Sequence, residues 1–237
     1  MMQIIKAADR HFSDHGWLKT FWLFSFADYY DPDNLRCGAL RVFNDDVIAP
    51  QSGFPAHPHR EMEIITVVMA GAITHTDSMG NRTIVGAGDV QRMSAGTGVM
   101  HSEFNLADEP VHLYQIWLEP DVARLQPSYD QKHFAPGQWQ NRLLPIASGR
   151  GLPDTVTFHT DATIYRSELD AGQKIDFATH RGRNVFIYPG HGRLAVNGQE
   201  IATNDQLRIY SGEPVHMRAV ENTGLILIDS STDTLSR

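Results

Sequence analysis

From residue 40 onward the chain is written in short apolar-rich segments, each closed by a turn signal. Residues 63–69 end before Gly71, residues 72–76 before Ser78-Met79-Gly80-Asn81, and residues 82–85 before Gly86-Ala87-Gly88. Residues 90–93 lead into the glycine-studded Ala95-Gly96-Thr97-Gly98, and residues 112–118 form a further segment. Segments rich in β-branched residues at roughly 8–12-residue spacing, with few long helical patterns, predict an all-β barrel or double-sheet jelly roll.

Ahead of this region the pattern is mixed. Trp17, Phe21, Trp22, Phe24, Phe26, Tyr29 and Tyr30 cluster before the turn signal Asp31-Pro32-Asp33-Asn34. Aromatics that dense read as core or interface filler. A strand over residues 40–43 runs into Asn44-Asp45-Asp46, read as another turn. Residues 119–155 change character: Pro120, Pro127, Pro136, Gly137, Pro145, Gly149, Gly151 and Pro153 punctuate a polar stretch that reads as an inter-domain crossover. Strand signals resume at 163–169 and 184–188. Residues 194–196 and 200–202 are joined by Asn197-Gly198, a type I′ hairpin signal, and the last predicted strand is 225–228.

Size and charge narrow the class. A chain of 237 residues is long for one ordinary domain and comfortable for two of about 110–120. Its net charge of −8 argues against a general nucleic-acid or anionic-membrane binder, because phosphate binding needs a basic surface. No apolar run reaches the roughly 18 residues of a membrane span, and Lys6, Asp9 and Arg10 break any signal-peptide pattern. The lone Cys37 cannot form an internal disulfide and reads as a buried small residue, which fits a reducing, cytoplasmic compartment.

The chemistry concentrates in two short blocks, His57-Pro58-His59 and His101-Ser102-Glu103. Side chains two apart on a strand point to one face, their Cα atoms roughly 6–7 Å apart, so each block is a pincer. If the two strands face one another, three imidazoles and a carboxylate converge on one metal ion, with bonds of about 2.0–2.2 Å. Twelve histidines make some His-x-His common by chance, so context matters. Pro58 cannot donate to a ladder and belongs on an edge, and the second pair follows a glycine-rich turn. The alternative is four hydrogen-bonded polar residues on unrelated strands. Glu61 and Glu63 share parity with His59, so either could be a fourth ligand or a supporting residue.

Weak self-similarity runs along the chain. His59-Arg60 before a β run to Gly71 parallels His180-Arg181 before a β run to Gly190, and residues 89–93 before His101 parallel 205–209 before His216. The expected division is two copies of one barrel unit, 1–135 and 136–237. In the second, Ala178 and Arg218 stand where His57 and Glu103 stand in the first. That copy is therefore expected to lack the ligand set and to serve as structure, lid or partner surface.

Over residues 15–120 the motifs are specific. The run from Gly53 to Arg60, then Glu63, residues 75–80, and the run from Gly88 to Glu103 resemble the pirin family of the cupin superfamily. Phe26 to Pro32, Asn44-Asp45-Asp46 and Tyr114 to Trp117 are also similar to pirins. The resemblance implies a bicupin, two tandem double-stranded β-helix barrels. Its first barrel would hold one divalent metal, expected as Fe(II), through His57, His59, His101 and Glu103. Nickel, manganese, cobalt, copper and zinc are the alternatives. The general cupin pattern takes its glutamate soon after His-x-His, near Glu63; pirins resemble this chain in using the later carboxylate, so Glu103 is expected as ligand and Glu63 as support.

The resemblance also implies a function. A quercetin 2,3-dioxygenase would bind a flavonol through its 3-hydroxyl and open the heterocycle with O2, losing carbon monoxide, with Glu103 as ligand and base. The rival expectation is an iron-dependent redox-sensing regulator that binds a transcription-related protein partner without turnover. A storage or carbohydrate-binding cupin is the third. Two fused barrels need no further copy, so a monomer is expected. Elsewhere, His11 and His15 read as surface residues, His75, His112 and Gln115 as packing or hydrogen-bonding residues with cavity lining as the alternative, and Met62, Met69, Met93 and Met100 as core filler.

Overall fold

The computed structural model describes residues 1–210 and 212–232; the end of the second predicted unit, at residue 237, lies outside them. Two sets of strands repeat one topology. In the first, Leu40–Ile48, Glu63–Ala70, Asp89–Ser94 and Val111–Leu118 share one sheet, faced by Ser52–His59, Ala72–Asp77, Arg82–Gly86 and Val99–Asn105 in a second sheet. In the second set, Ala162–Leu169, Arg183–His191, Gln206–Tyr210 and Thr223–Ser231 are faced by Lys174–Phe177, Arg193–Val196, Gln199–Ala202 and Val215–Ala219. The molecule is thus an all-β bicupin. The predicted Asn197-Gly198 hairpin forms with φ of 48° and 82°, the two positive values a type I′ turn needs. No helix among the described residues is long and apolar enough to cross a membrane.

Chain order and sheet order part company at the edges. Met2–Ile5 pairs with Gln206–Tyr210 in the second barrel, while Ser128–His133 pairs with Asp89–Ser94 at the matching edge of the first. Residues 119–155, predicted as a crossover, therefore carry two paired strands, Ser128–His133 and Leu144–Ser148. Asn44-Asp45-Asp46 is likewise no turn: it lies within Leu40–Ile48, paired on one side with residues 20–22 and on the other with 113–115. Turn propensity loses here because both neighbouring strands supply ladder partners and the side chains meet polar surroundings.

Alternation along Leu40–Ile48 divides its side chains between two environments. Phe43 and Asp45 face the second barrel; Asn44, Asp46 and Ile48 face the interior of the first. Phe43 lies 5.2 Å from Phe186 and 5.0 Å from Tyr188 between ring centroids, within a large apolar cluster that joins the barrels. Asp45 accepts from the Tyr188 hydroxyl at 2.6 Å and meets His112 at 2.7 Å.

The interiors differ. The second barrel is filled by aliphatic side chains, among them Ile187, Leu207, Leu225 and Leu227. The first is apolar at its two ends, around Val68, Val85 and Leu113 and around Ile64, Met93 and Val99. Between them runs one polar rung, Gln91–Thr66–Gln115–Asn44, read across four strands. Met93 is buried as expected, whereas Met100 is exposed at the rim.

Candidate metal centre

The ligand-bearing strands are neighbours. His101 pairs directly with His57 in the ladder between Val99–Asn105 and Ser52–His59, the latter at the sheet edge, where Pro58 loses no ladder bond. A register shift between His101 and Glu103 sets Glu103 against Phe54, so the edge strand carries an extra residue there. That bulge breaks the two-residue alternation and lets Phe54, His57 and His59 all line the same cavity. Gly53 is required by the close approach: a Cβ on it would lie 2.2 Å from the Glu103 carbonyl oxygen.

The three imidazoles converge. Donor atoms of His57, His59 and His101 all lie within 4.8 Å of one another, and the Nε2 atoms of His57 and His101 are 3.0 Å apart. Two donors each about 2.1 Å from one ion sit roughly 3 Å apart, so the spacing fits a shared metal. His57 Nδ1 lies 2.7 Å from the Pro55 carbonyl oxygen, which as its acceptor leaves Nε2 with a free lone pair. Burial, reinforced by the neighbouring imidazoles, pushes His59 down to about 4 and His101 down to about 3. Both are neutral at pH 7, the form that binds metal.

Glu103 stands one layer deeper. It is fully buried, and its donor atom falls within 4.8 Å of those of His101 and His75. Gln91 donates to Oε1 at 2.8 Å, Thr66 to Oε1 at 3.3 Å, and Gln115 to Oε2 at 2.6 Å. A carboxylate offers about four lone-pair positions, so these bonds orient it and leave room for one more partner. His75 Nε2 lies 2.9 Å from Asp77, while its Nδ1 is buried without a partner. Glu63 lies elsewhere: Ser94 donates to it at 2.7 Å and His159 lies 3.2 Å away. Its predicted support of the metal centre is not what its contacts provide. Glu61, the other candidate acid, accepts from the backbone of Arg124 at an exposed position.

Beside the imidazoles lies a cavity of about 370 Å³ lined by His57, His59, His101 and Glu103. Its walls are aromatic: Trp17, Trp22, Phe26, Phe54 and Trp117. Asn44, Asp46 and Gln115 add polar groups. Burial raises Asp46 to about 7 against the opposing pull of the Thr20 hydroxyl, and the nearby Asp45 and Glu103 charges push the same way as burial.

Comparison with known proteins agrees with this architecture. Residues 5–118 match the Pirin family, and residues 145–230 match the quercetinase C-terminal cupin domain. A pirin-like protein of Caulobacter vibrioides is 43% identical over 220 residues, covering 92% of this chain and 95% of that one. The chain belongs to the pirin family. A quercetin 2,3-dioxygenase of Escherichia coli K12 is 39% identical over 230 residues, covering 97% and 98%. The Escherichia coli bacterial pirin YhhW, solved in complex with nickel(II), superposes with a TM-score of 0.93 at 37% identity, covering 98% of this chain and 100% of that one.

Within this pirin, the second barrel differs from the first at the matching positions. At the rung matching Gln91–Thr66–Gln115 stand Leu207, Ile187 and Leu227. His216, matching His101, is exposed and held by Asp176. The sequence reading missed three aspects of the site. Trp17, Trp22 and Phe26 line the cavity as well as packing among hydrophobic neighbours, and the exposed His15 lines it too. Asp46 was hidden by its reading as a turn. The only signal available was alternation, Asn44 and Asp46 being two apart on a strand that continues to Ile48.

Proposed function

We propose that the chain is a metal-dependent dioxygenase of the quercetin 2,3-dioxygenase type, opening a flavonol-like enol with O2 and releasing carbon monoxide. One observation carries this reading: neutral imidazoles converge at the wall of an aromatic-sided cavity of about 370 Å³. That volume lies in the range of small-molecule sites, roughly 300–1,000 Å³. Relatives named for this activity support it. His57, His59, His101 and Glu103 would hold the ion, with Fe(II) expected; a relative seen with nickel(II) supports a divalent metal more broadly. A bound divalent ion supplies Lewis acidity toward an enolate oxygen and an electron path to O2.

The remaining work falls to side chains. Trp17, Phe54 and Trp117 offer flat faces that orient a planar ligand and exclude water from it. Once off the ion, the one free position on the Glu103 carboxylate would take the proton of the ligand's enol hydroxyl, while Gln91, Thr66 and Gln115 hold the rest of the group in place. We assign this activity to unit 1–135 and a supporting role to 136–237, in a cytoplasmic monomer. Metal-loaded protein given quercetin is expected to consume O2 and release carbon monoxide in equal amounts, and Glu103→Ala to slow this by at least about 100-fold. A loaded protein with no quercetin-dependent O2 uptake overturns the proposal. Redox-dependent capture of a protein partner by that inactive protein would support the regulator reading in its place.

A further inference from the structure

A second cavity, of about 240 Å³, opens between the two barrels and shares no lining residue with the one beside the imidazoles. One wall is the outer face of Val111–Leu118, where alternation turns His112 and Tyr114 away from the interior that Gln115 faces. The other wall comes from the second barrel, with Arg166 on Ala162–Leu169 and Leu225 and Ile226 on Thr223–Ser231.

Two donors in this cavity lack partners. Tyr114 is only 2% exposed, and its hydroxyl bonds to no group among the described residues, yet the atom is not sealed off and lies at the cavity. Gly190 makes room for it, since a Cβ at that position would lie 2.4 Å from the hydroxyl oxygen. The half-buried Arg166 guanidinium stacks on Trp139, 4.0 Å from the ring centroid, and forms no hydrogen bond or ion pair among the described residues. Stacking engages the flat face of a guanidinium and leaves its N–H edge free. Burial pulls Arg166 below the usual arginine range against the opposing influence of Tyr114 and Glu168, so this cation is short of counter-charge. Its neighbours are engaged elsewhere: Glu168 lies 2.8 Å from His191 Nε2, and His112 Nε2 lies 2.7 Å from Asp45. Buried polar groups are normally satisfied, so two open donors in one cavity point to an acceptor that arrives from outside.

We propose that the inter-barrel cavity binds a small organic carboxylate, its oxygens held by the Arg166 guanidinium and the Tyr114 hydroxyl and its hydrocarbon part against Leu225 and Ile226. A guanidinium edge matches the two oxygens of a carboxylate, and the phenol adds a third donor. The volume, just under the usual range of small-molecule sites, limits the guest to a compact molecule. This site stands independently of the flavonol reading, because it uses neither the metal ligands nor the aromatic cavity.

The test is calorimetric titration of the nickel-loaded protein at pH 7 with benzoate and with benzamide, its uncharged isostere. Benzoate is expected to bind at least about tenfold more tightly than benzamide. Arg166→Gln should lower benzoate affinity by at least about tenfold, and Tyr114→Phe by about threefold or more, with the nickel content unchanged in both. Unchanged nickel content separates loss of this site from damage at the metal, which a carboxylate could also reach. If Arg166→Gln does not fold, Arg166→Lys, which keeps the charge and loses the fork, should still weaken benzoate and decides with Tyr114→Phe. Absence of benzoate binding, equal affinity for the two probes, or benzoate affinity that survives the substitutions overturns the inference. None of these outcomes touches the dioxygenase reading, which the O2-uptake assay tests separately.

Discussion

Glu103 is the residue on which orientation matters most. Its carboxylate is held by amide and hydroxyl donors from three other strands, and each donor sets where its free lone pair points. Partners of this kind are worth about 10- to 100-fold in metal affinity or activity. Gln91→Leu is therefore expected to lower metal affinity by that factor in a competition titration, while His101→Ala should abolish stoichiometric binding. Asp46 makes a second prediction, for the metal-free protein. Its carboxyl ionises near 7 when folded, above the ordinary 3.8, so ionisation costs the folded state more than the unfolded one. Native stability relative to Asp46→Asn should therefore fall as pH rises from about 4 to about 7 and level off above that. Thermal unfolding of both proteins across this range checks it, and a pH-independent difference would refute it.

At the level of single strands, the bulge between Val99–Asn105 and Ser52–His59 does the positioning. It is what brings Phe54 and His57, three apart in sequence, to one cavity. Gly53 permits it, since the neighbouring backbone comes within 2.2 Å of where a Cβ would stand. Gly53→Ala is expected to destabilise the protein by about 1–3 kcal/mol in urea unfolding and to weaken metal binding along with it. Much of this level was legible beforehand. Pro58 between two histidines marked an edge strand, and the glycine-rich turn before His101 marked the start of its partner. The bulge was not legible, because an extra residue in one strand leaves the local composition unchanged. The Asn44-Asp45-Asp46 strand was hidden for a related reason: three polar residues favour a turn until partners on both sides claim their backbone.

Across the whole molecule, the two barrels are interleaved. Met2–Ile5 opens the chain yet completes the sheet of the second barrel. Removing residues 1–5 is expected to expose the Gln206–Tyr210 strand, and hydrogen exchange there should rise before exchange in Glu63–Ala70 changes. The apolar interface joins the same two units, with the Tyr188 hydroxyl at its centre, shared by Asp45 and Arg10. Asp45 and Asp46 are successive residues on one strand, so alternation sends one to the barrel interface and the other to the cavity. Tyr188→Phe should cost about 1–3 kcal/mol by leaving Asp45 short of a donor. Equal stability of the two proteins in urea would contradict that.

By itself the sequence determined the class of fold, the repeat, and three of the residues that meet. Strand periodicity, turn residues and a two-residue spacing are local properties, and they survive in the linear chain. Only the tertiary structure decided which wall faces which. The aromatic lining, the donors that hold Glu103, the placement of Asn44 and Asp46 at the cavity wall, and the exchanged first strand all depend on partners tens to hundreds of residues away. Their residue types are the same whether packed in a core or turned toward a cavity, so nothing short of the closed barrel distinguishes the two.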